Sequence, residues 1–465
     1  MRSFGLDDCR VNSHKPDQTD SKTLFDSVGT RTANVFADLK WSGMVRDATH
    51  GAGDLLGREK VTCYVGFDPS AKSLHVGNLI PIMGLVRMQR HGHTPIALVG
   101  SGTGIIGDPS GRDQERPLLS KSALEENTAG IRSQLERFLD FSTGPNMALM
   151  LNNADWLTEL GLIEFLRHTG RHFTVNYMLS KESVRARFVR DSGISYTEFT
   201  YMLLQAYDFL HLFDNFGCTF QMGGSDQWGN ILAGVDLIRR VRGTRGSGDD
   251  SMLKAHGIVY PLVTTSSGEK FGKSAGNAPT LDATVTSPYR LYQFFLNTDD
   301  RDVPEYLKLF TLMTQNEVKA LSEVLETNPS SREAQRALAR DVTERVHGRD
   351  GLIEAERVTS ALFGDELKRL SLNELEDVFE GAPRSEIAFS ELDAHGLGIP
   401  TLLARQGVCK SIGEARRLIA QGGLYMNGVR VLETTQSITR DDLIEGKILV
   451  FRRGSKTYHL IRVTN

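Results

Sequence analysis

A strand–helix–strand alternation that starts near Val61 constrains the fold of this chain more than any other feature. An apolar run at residues 61–67 is followed by a turn containing Pro69, a helical pattern at residues 76–90 and a second apolar run at residues 96–99. Such alternation is typical of parallel sheets with helices on both faces, which bind ligands at the carboxyl ends of their strands. The sequence therefore predicts an α/β chain with a Rossmann-like, doubly wound parallel sheet.

The pattern changes twice towards the C-terminus. Residues 287–379 are mostly helical in pattern, and a compact α/β pattern follows a Gly/Pro-rich hinge at residues 396–400. A chain of 465 residues has room for roughly two to four domains. We predict an N-terminal extension (1–33), a Rossmann domain (34–287), a helical domain (288–388) and a small α+β domain (395–465).

Charge is distributed unevenly along the chain. Residues 395–465 carry 11 Lys and Arg against 5 Asp and Glu, a net charge of +6, so the preceding 394 residues carry −10 within a total of −4. A basic module on an acidic body is what a polyanion-binding appendage looks like. A solvated charged surface would look the same, so charge alone leaves both interpretations open.

Composition excludes several classes of protein. The longest apolar run, at residues 80–86, is far shorter than the roughly 18 residues of a membrane span, so no membrane association is predicted. The four cysteines, at positions 9, 63, 218 and 409, lie far apart and form no CxxC motif. We therefore expect neither a zinc site nor a disulfide framework, as suits a reducing compartment.

Two short signatures are suited to handling phosphates. Residues 74–78 (LHVGN) follow the first strand and open a helix, whose free N–H groups and positive dipole end attract anions. Residues 270–274 (KFGKS) place two lysines on a glycine-flanked loop that can close over a triphosphate. Taken singly, each signature also has an ordinary structural interpretation. The first is a helix start, and the second is an exposed basic loop.

Two other glycine-rich stretches match nucleotide motifs only formally. The glycines at 102, 104 and 107 have the dinucleotide-binding spacing, but the sequence DPSG follows at once, so the third glycine opens no helix. Residues 268–274 resemble a P-loop with one residue too few between the glycines. Neither stretch predicts its motif's usual ligand.

A polar stripe runs along a predicted helix at residues 194–213. Ser195 and Glu198 are spaced for a capping box, and Tyr201, Gln205 and Asp208 share one face among apolar neighbours. Buried polar groups need partners. The three could satisfy one another as a structural network, or they could bind a polar ligand.

In this order, the two phosphate signatures resemble the HIGH and KMSKS motifs of class I aminoacyl-tRNA synthetases. Three further stretches narrow the resemblance to the tyrosyl-tRNA synthetases of bacteria and organelles: residues 64–69 (YVGFDP), 201–209 (YMLLQAYDF) and 221–231 (QMGGSDQWGNI). The resemblance runs from about residue 35 to the C-terminus. It implies a tyrosine–tRNA ligase that makes tyrosyl-adenylate from tyrosine and ATP, releases pyrophosphate, and transfers tyrosine to the terminal ribose of tRNA(Tyr).

The resemblance also implies roles for individual residues. The expected catalytic residues are His75, Asn78, Lys270 and Lys273. The expected tyrosine-binding residues are Tyr64, Asp108, Tyr201, Gln205, Asp208, Gln221 and Gln227. The expected ATP-binding residues are Asp68, Ser70, His75, Gly77, Asn78, Gly224, Asp226, Lys270, Lys273 and Ser274. Within the tyrosine site, Tyr64 and Asp208 are expected to hydrogen-bond the substrate phenol.

The family further implies an anticodon-binding role for the helical domain. Residues 411–428 resemble the S4 RNA-binding domain, with Lys410, Arg416 and Arg417 as expected tRNA contacts. Mg²⁺ is expected to enter with ATP and not to occupy a protein cage, so no metal-ligating residue is predicted. The expected partners are tRNA(Tyr), tyrosine, ATP and a second copy of the chain.

The N-terminal extension bears on location. Mitochondrial transit peptides are poor in acidic residues, whereas here five Asp balance five Lys and Arg, so a disordered tail is an alternative. Residues 346–351 (VHGRDG) are similar to organellar tyrosyl enzymes. We predict the mitochondrial matrix, or the cytoplasm if the chain is bacterial.

Two other functions compete with tyrosine ligation. A tryptophanyl synthetase would share the fold, but Asp208 and Tyr64 suit a phenol better than an indole. An RNA-binding protein that has lost catalysis would not need the intact HVGN, GSDQ and KFGKS elements. Both alternatives predict a different outcome in an amino-acid activation assay.

Overall fold

The computed structural model describes residues 34–107, 119–181, 184–185, 194–243, 255–272, 278–363, 366–392, 397–454 and 457–464. The extension at residues 1–33 and three predicted site residues lie outside this part of the chain; the three are Asp108, Lys273 and Ser274. Within the described ranges, no helix is both long and apolar enough to cross a membrane.

The described residues of the N-terminal half form a six-stranded sheet. Its strands are β1 (Asp47–Ala48), β2 (Thr62–Phe67), β3 (Thr94–Val99), β4 (Leu149–Asn152), β5 (Cys218–Gly224) and β6 (His256–Tyr260), in the order β1-β6-β5-β2-β3-β4. Neighbouring strands pair in parallel, except that β1 pairs antiparallel with β6. The predicted doubly wound parallel sheet is thus confirmed for five strands. The two-residue edge strand β1 is too short to show a hydrophobic period.

The strand order reverses between β2 and β5. From β2 the chain adds β3 and β4 on one side, and then adds β5 and β6 on the other. The crevice at the carboxyl ends of such adjacent strands is where doubly wound sheets bind ligands. Tyr64 on β2 pairs in register with Gln221 on β5, so two predicted site residues meet at this point.

Helices cover both faces of the sheet. They are α1 (Val35–Trp41), α2 (Ala52–Arg58), α3 (Leu79–Arg90), α4 (Ser101–Gly104), α5 (Lys121–Leu135), α6 (Ala154–Leu157), α7 (Leu162–His168), α8 (Val175–Leu179), α9 (Tyr196–Phe216) and α10 (Trp228–Arg242). Because side chains alternate along a strand, Cys63, Val65 and Phe67 join one core while Tyr64 joins the other, beside Phe209 of α9. The Tyr64 side chain therefore lies on the face of the sheet that α9 covers.

A helical region follows the sheet. It contains α11 (Pro288–Leu296), α12 (Val303–Phe310), α13 (Gln315–Thr327), α14 (Glu333–Phe363) and α15 (Leu372–Val378), and α14 is interrupted at Gly348, where φ is 75°. The core on the α3 face continues into these helices. The buried guanidinium of Arg87 on α3 bonds the Asp38 carboxylate at 2.8 Å and the carbonyls of Lys308 and Thr311 at 2.7 and 2.9 Å. The helical region is thus packed directly against the helix that the first signature opens.

The C-terminal part is an α+β unit whose strands pair mostly antiparallel. Its strands are β7 (Arg384–Ala388), β8 (Leu397–Gly398), β9 (Leu424–Met426), β10 (Val429–Arg430), β11 (Ser437–Ile438), β12 (Ile448–Arg453) and β13 (Thr457–Thr464), and its helices are α16 (Ile399–Arg405) and α17 (Ile412–Ala420). The larger sheet has the order β10-β9-β12-β13-β7. Since β7 pairs in parallel with β13, this sheet includes residues that precede the hinge at 396–400.

Candidate active site

The first signature forms a tightly bonded turn at the start of α3. Val76–Asn78 is a single 3₁₀ turn with His75 as its N-cap. The backbone N–H of Gly77 donates to Nδ1 of His75 at 3.0 Å, and the N–H of His75 donates to the Asn78 side-chain oxygen at 3.0 Å. Because Nδ1 is an acceptor, a neutral imidazole carries its proton on Nε2. The ring is oriented to donate from that nitrogen.

Gly77 has a local steric role in this turn. A Cβ at position 77 would lie 2.7 Å from Cε1 and 2.9 Å from Nδ1 of His75. Real Cβ contacts are essentially never that short, so a side chain here would displace the imidazole from its capping position. The sequence motif thus fixes the orientation of His75.

The second signature begins at the end of a β-hairpin. The N–H of Thr265 donates to the carbonyl of Glu269 at 2.8 Å, and the N–H of Phe271 donates to the carbonyl of Val263 at 3.0 Å. Lys270, which forms an isolated bridge with Thr264, is exposed, and Phe271 is buried. Lys273 and Ser274 fall in the gap at residues 273–277.

The two signatures lie side by side. A Cβ at Gly272 would come within 3.0 Å of Cγ2 of Val76. After the gap, the chain bonds the first signature again, since the N–H of Val76 donates to Pro279 at 2.9 Å and that of Leu281 donates to Leu74 at 2.8 Å. The fold therefore joins two phosphate motifs that are nearly 200 residues apart in the sequence.

Among the described acids of the predicted site, Asp208 is the most deeply buried. It is 2% exposed, and its two oxygens accept from the Asn153 amide at 2.9 Å and from the Trp156 indole N–H at 2.7 Å. Tyr64 is 1% exposed, with its ring 5.5 Å from that of Phe209. Among the described residues, no group bonds the Tyr64 hydroxyl. A buried donor without a partner indicates a ligand position.

Burial governs the ionisation of both groups. Loss of hydration raises the pKa of Asp208 to about 7, and the charge of Asp68 adds to this, while the hydrogen bonds from Asn153 and Trp156 oppose it. Burial also raises the pKa of Tyr64 well above its ordinary value, helped by Asp208 and Cys218. The Tyr64 phenol is therefore neutral, and Asp208 titrates near neutrality.

The predicted polar helix is confirmed as α9. The Glu198 N–H donates to the Ser195 hydroxyl at 3.2 Å, which with the reverse contact at 3.4 Å makes the predicted capping box. The helix ends at Phe216, three residues beyond the predicted end, and its C-cap is Gly217, whose φ of 60° favours glycine. Tyr201 and Asp208 are buried on it, and Gln205 is partly buried.

The amides of the site bond one another. Gln205 donates to the side-chain oxygen of Gln227 at 3.2 Å, and Asn230 donates to the side-chain oxygens of Gln205 at 3.0 Å and Gln227 at 3.2 Å. Gln221 is buried, and its side-chain oxygen has no partner among the described residues. Gln205 and Asp208 thus bond to residues outside the polar stripe.

Sequence reasoning missed three residues of this site: Asn153, Trp156 and Asn230. Asn153 comes directly after β4 and precedes α6, but its side chain does not cap that helix. It accepts from Gly102 N–H at 2.8 Å and donates to Thr103 and Asp208. Its place at the carboxyl end of a parallel strand was the available signal.

Two acids among the predicted ATP-binding residues follow neighbouring strands. Asp68 comes directly after β2, and its carbonyl accepts from the N–H of Ser70 at 2.8 Å. Asp226 is exposed on the 3₁₀ turn Ser225–Gln227 after β5, and a Cβ at Gly224 would lie 2.5 Å from its carboxylate. Both acids therefore lie at the same edge of the sheet.

The predicted tRNA contacts lie on α17 or just before it. Lys410, Arg416 and Arg417 are all exposed, and within the described ranges none of their side chains forms an ion pair. Other arginines of this unit are paired, since Arg405 bonds Glu391 and Arg453 bonds Glu414. In the described residues, no group of three or more His, Cys, Asp or Glu side chains could hold a metal ion.

Comparison with protein-family models gives two matches. The model for class I tRNA synthetases (W and Y) matches residues 57–364. The model for the SYY-like C-terminal domain of tyrosine–tRNA ligases matches residues 374–461. The second match begins before β7, in agreement with the pairing of β7 and β13.

Individual proteins are similar over most of the chain. The tyrosine–tRNA ligase of Roseiflexus castenholzii is 50% identical over 429 residues, which are 92% of this chain and 99% of that protein. The tyrosine–tRNA ligase of Geobacillus stearothermophilus is 46% identical over 431 residues with the same coverage. Among solved structures, a C-terminally truncated mitochondrial tyrosyl-tRNA synthetase of Aspergillus nidulans is 31% identical, with a TM-score of 0.65 over 74% of this chain and 97% of that one.

Proposed function

The chain belongs to the tyrosine–tRNA ligases within class I of the aminoacyl-tRNA synthetases, and we propose from this premise how its residues perform the reaction. The enzyme is an ATP-dependent ligase that charges tRNA with tyrosine. The observation that supports the proposal best is the buried pair of Asp208 and the unpartnered Tyr64 hydroxyl at the sheet's switch point.

Tyrosine is recognised through its phenol. The substrate hydroxyl donates to the Asp208 carboxylate and accepts from the Tyr64 hydroxyl, which gives that buried group its partner. Phenylalanine would leave the Tyr64 hydroxyl without a partner and would give Asp208 no donor beyond Asn153 and Trp156. The α-ammonium lies near Tyr201, Gln205 and Asp108, and Gln221 and Gln227 lie near the carboxylate and the adenylate.

Activation needs no covalent nucleophile on the protein. The tyrosine carboxylate attacks the α-phosphate of ATP, the new P–O bond forms as the bond to pyrophosphate breaks, and pyrophosphate leaves. Catalysis comes from positioning and from charge stabilisation by His75, through its Nε2–H, and by Lys270 and Lys273. Mg²⁺ accompanies ATP as part of the substrate.

The nucleotide is bound at the carboxyl ends of β2 and β5. Asp226 binds the ribose, and Asn78 contacts it from the first signature. Gly77 gives the adenine ring access to the start of α3. The remaining nucleotide contacts are Asp68, Ser70, Gly224 and Ser274.

The second half-reaction transfers tyrosine to tRNA. The terminal ribose hydroxyl attacks the carbonyl of the adenylate, and AMP leaves. The helical region binds the anticodon, and the S4-like C-terminal unit binds phosphates through Lys410, Arg416 and Arg417, which are exposed and carry no described ion pair.

The active enzyme is a homodimer. Large apolar side chains are exposed on α7, α8 and the start of α9: Leu162 (68%), Ile163 (76%), Val175 (61%) and Tyr196 (74%). Exposed apolar surface of this kind is typical of an interface between subunits. Sedimentation of Ile163→Asp should give a monomer where the unaltered protein gives a dimer; a monomeric unaltered protein would contradict the assignment.

The enzyme acts in the mitochondrial matrix, with residues 1–33 as the targeting segment. The supporting observation is the similarity to a fungal mitochondrial enzyme, while the bacterial relatives favour the cytoplasmic alternative. Fusion of residues 1–33 to a fluorescent protein tests this. Failure to enter mitochondria would favour the alternative.

Amino-acid-dependent ATP–pyrophosphate exchange tests the proposed activity. Tyrosine alone should support exchange, and tRNA(Tyr) should then accept labelled tyrosine. Exchange with tryptophan would identify the sister enzyme instead. An absence of exchange with every amino acid, in protein that binds tRNA, would identify a synthetase fold that has lost catalysis.

A further inference from the structure

Asp302 does not act as the helix cap that its position suggests. It is the N-cap residue of α12, where an Asp side chain ordinarily accepts from the first N–H groups of its own helix. Here the side chain makes no such bond. Its two oxygens accept instead from the N–H of Ser266 at 3.0 and 3.1 Å, and one of them accepts from the Ser266 hydroxyl at 3.2 Å.

Ser266 belongs to the hairpin that presents Lys270. The N–H of Gly268 donates to the carbonyl of Thr265 at 2.8 Å, so Ser266 is the second residue of a four-residue turn. Lys270 pairs with Thr264 across the same hairpin. The bonds to Asp302 therefore fix the turn end of the hairpin on α12.

The other end of the hairpin is fixed by an aromatic contact. Phe271 is 6% exposed and packs among rings of α11 and α12, with centroid distances of 4.9–6.3 Å to Phe294, Phe295, Tyr306 and Phe310. Next to it, Gly272 contacts Val76 of the first signature. Lys270 thus lies on a segment held at both ends, beside the HVGN turn.

Asp302 is itself held by the helical region. Its N–H donates to the carbonyl of Asp299 at 2.9 Å, and the neighbouring Asp300 carboxylate accepts from the buried amide of Gln335 on α14. By contrast, the Asp299 carboxylate bonds Arg301, at 2.8 Å, and not the hairpin. The acidic turn at residues 299–302 thus joins the hairpin to α14 as well as to α12.

We propose that Asp302 is a positioning residue for the activation step: through Ser266 it holds the hairpin so that Lys270 faces the outer phosphates of ATP. The inference rests on the proposed role of Lys270. Without the carboxylate, the hairpin would remain attached at Phe271 but would pivot there. The lysine would then be misplaced for the phosphates, while the tyrosine pocket on the α9 face would be unaffected.

Variants on both sides of the contact test this. Asp302→Ala removes the acceptor. Ser266→Pro removes the N–H and hydroxyl donors at the second position of the turn, where proline is favoured. Asp299→Ala is the matched control, because it removes a carboxylate from the same turn without a hairpin contact. In pyrophosphate exchange we expect the first two to raise KM for ATP roughly five- to tenfold, as for loss of hydrogen bonds to a charged acceptor.

Three further readouts separate positioning from a general structural role. The tyrosine Kd, from equilibrium binding, should stay within twofold of the unaltered enzyme for both variants. The double variant should be no worse than either single one, because both remove the same contact. Asp299→Ala should match the unaltered enzyme in KM for ATP. Should Asp302→Ala not fold, Ser266→Pro carries the test alone.

Contrary results are distinguishable. Equal losses of ATP and tyrosine affinity, or an effect of Asp299→Ala as large as that of Asp302→Ala, would overturn the positioning role. If Asp302→Ala and Ser266→Pro both leave KM for ATP unchanged while Lys270→Ala is strongly impaired, the role of the Asp302–Ser266 contact is refuted, but the role of Lys270 is not. An unimpaired Lys270→Ala would overturn the inference together with the role of Lys270. Unaltered protein without tyrosine-dependent exchange would overturn the proposed function itself.

Discussion

The tyrosine pocket and the phosphate side of the same site are built in opposite ways. Tyr64 and Asp208 are at most 2% exposed and lie on a central strand and a 21-residue helix. His75 and Lys270 are exposed and lie on a turn and a hairpin. Recognition of a phenol needs buried polar groups held in fixed positions, whereas phosphates need charges that water and product can reach.

The two regions also differ in how their charges are controlled. Burial makes the Asp208 carboxylate titrate near neutrality, so the environment sets its charge. The exposed lysine of the hairpin is hydrated and screened by salt, and its effect depends on where the hairpin holds it. Selection of the amino acid is thus a property of the core, and phosphate chemistry is a property of attached surface segments.

The largest expected effect is a loss of function on the phosphate side of the site alone. His75→Ala should lower the rate of adenylate formation by about a hundredfold or more, the usual cost of removing one donor from developing charge. Tyrosine affinity should not change. Single-turnover kinetics and equilibrium tyrosine binding measure the two. A selective loss of tyrosine affinity would contradict the assignment.

His75→Asn separates capping from phosphate contact. An asparagine oxygen can still accept from Gly77 N–H, since Asn is a favoured N-cap residue, but nothing replaces Nε2. We expect it to fold like the unaltered protein and to activate tyrosine as slowly as His75→Ala. Recovered activity would show that His75 acts only through the turn.

The next largest expected effect is a loss of tyrosine binding in the pocket. Asp208→Ala should weaken tyrosine binding by about 1–3 kcal/mol or more, because a charged acceptor is lost and the Asn153 and Trp156 donors are left unpaired. Equilibrium binding measures this. Asp214→Asn is the matched control on α9, since its carboxylate pairs with Arg242 at the surface. Unchanged tyrosine binding in Asp208→Ala would show that the polar stripe is only structural.

A smaller effect concerns pH. With a pKa of about 7, Asp208 becomes neutral as pH falls and then loses acceptor capacity, so tyrosine affinity should decrease below about pH 7.

The raised pKa also means that the folded state binds this proton more tightly than the unfolded chain. The group's contribution to stability should therefore decrease as pH rises from about 4 to about 7. Asp208→Asn should flatten both profiles in binding and unfolding measurements; an unchanged profile would assign the titration to another group.

The smallest expected effect concerns tRNA binding by the C-terminal unit. Replacing Arg416 and Arg417 together by Gln should raise the tRNA KM a few-fold and reduce the salt dependence of tRNA binding by up to about two phosphate contacts. Pyrophosphate exchange should not change. Arg405→Gln, which alters a guanidinium paired with Glu391, is the control. Equal losses in both half-reactions would instead give this unit a structural role. Substitution is preferable to truncation at residue 395, which would leave β7 without its partner strand.

Local signals in the sequence were enough for much of the fold. The apolar run that became β2, the capping box that starts α9 and the helical pattern after residue 287 depend on neighbours within a few positions. The two-residue strand β1 and the strand β7 escaped this reasoning. Both exist only because a distant strand offers them a pairing edge.

The sequence by itself determined that this chain has a doubly wound sheet, two phosphate motifs and a polar stripe that needs partners. Only the tertiary structure decided which residues the partners are. Asp208 bonds to Asn153 and Trp156, which lie 55 and 52 residues away in the sequence, and Ser266 bonds to Asp302, 36 residues away. The physical reason is that helix periodicity and capping arise between nearby residues. The partner of a buried or diverted polar group depends instead on which strands and helices become neighbours when the chain packs.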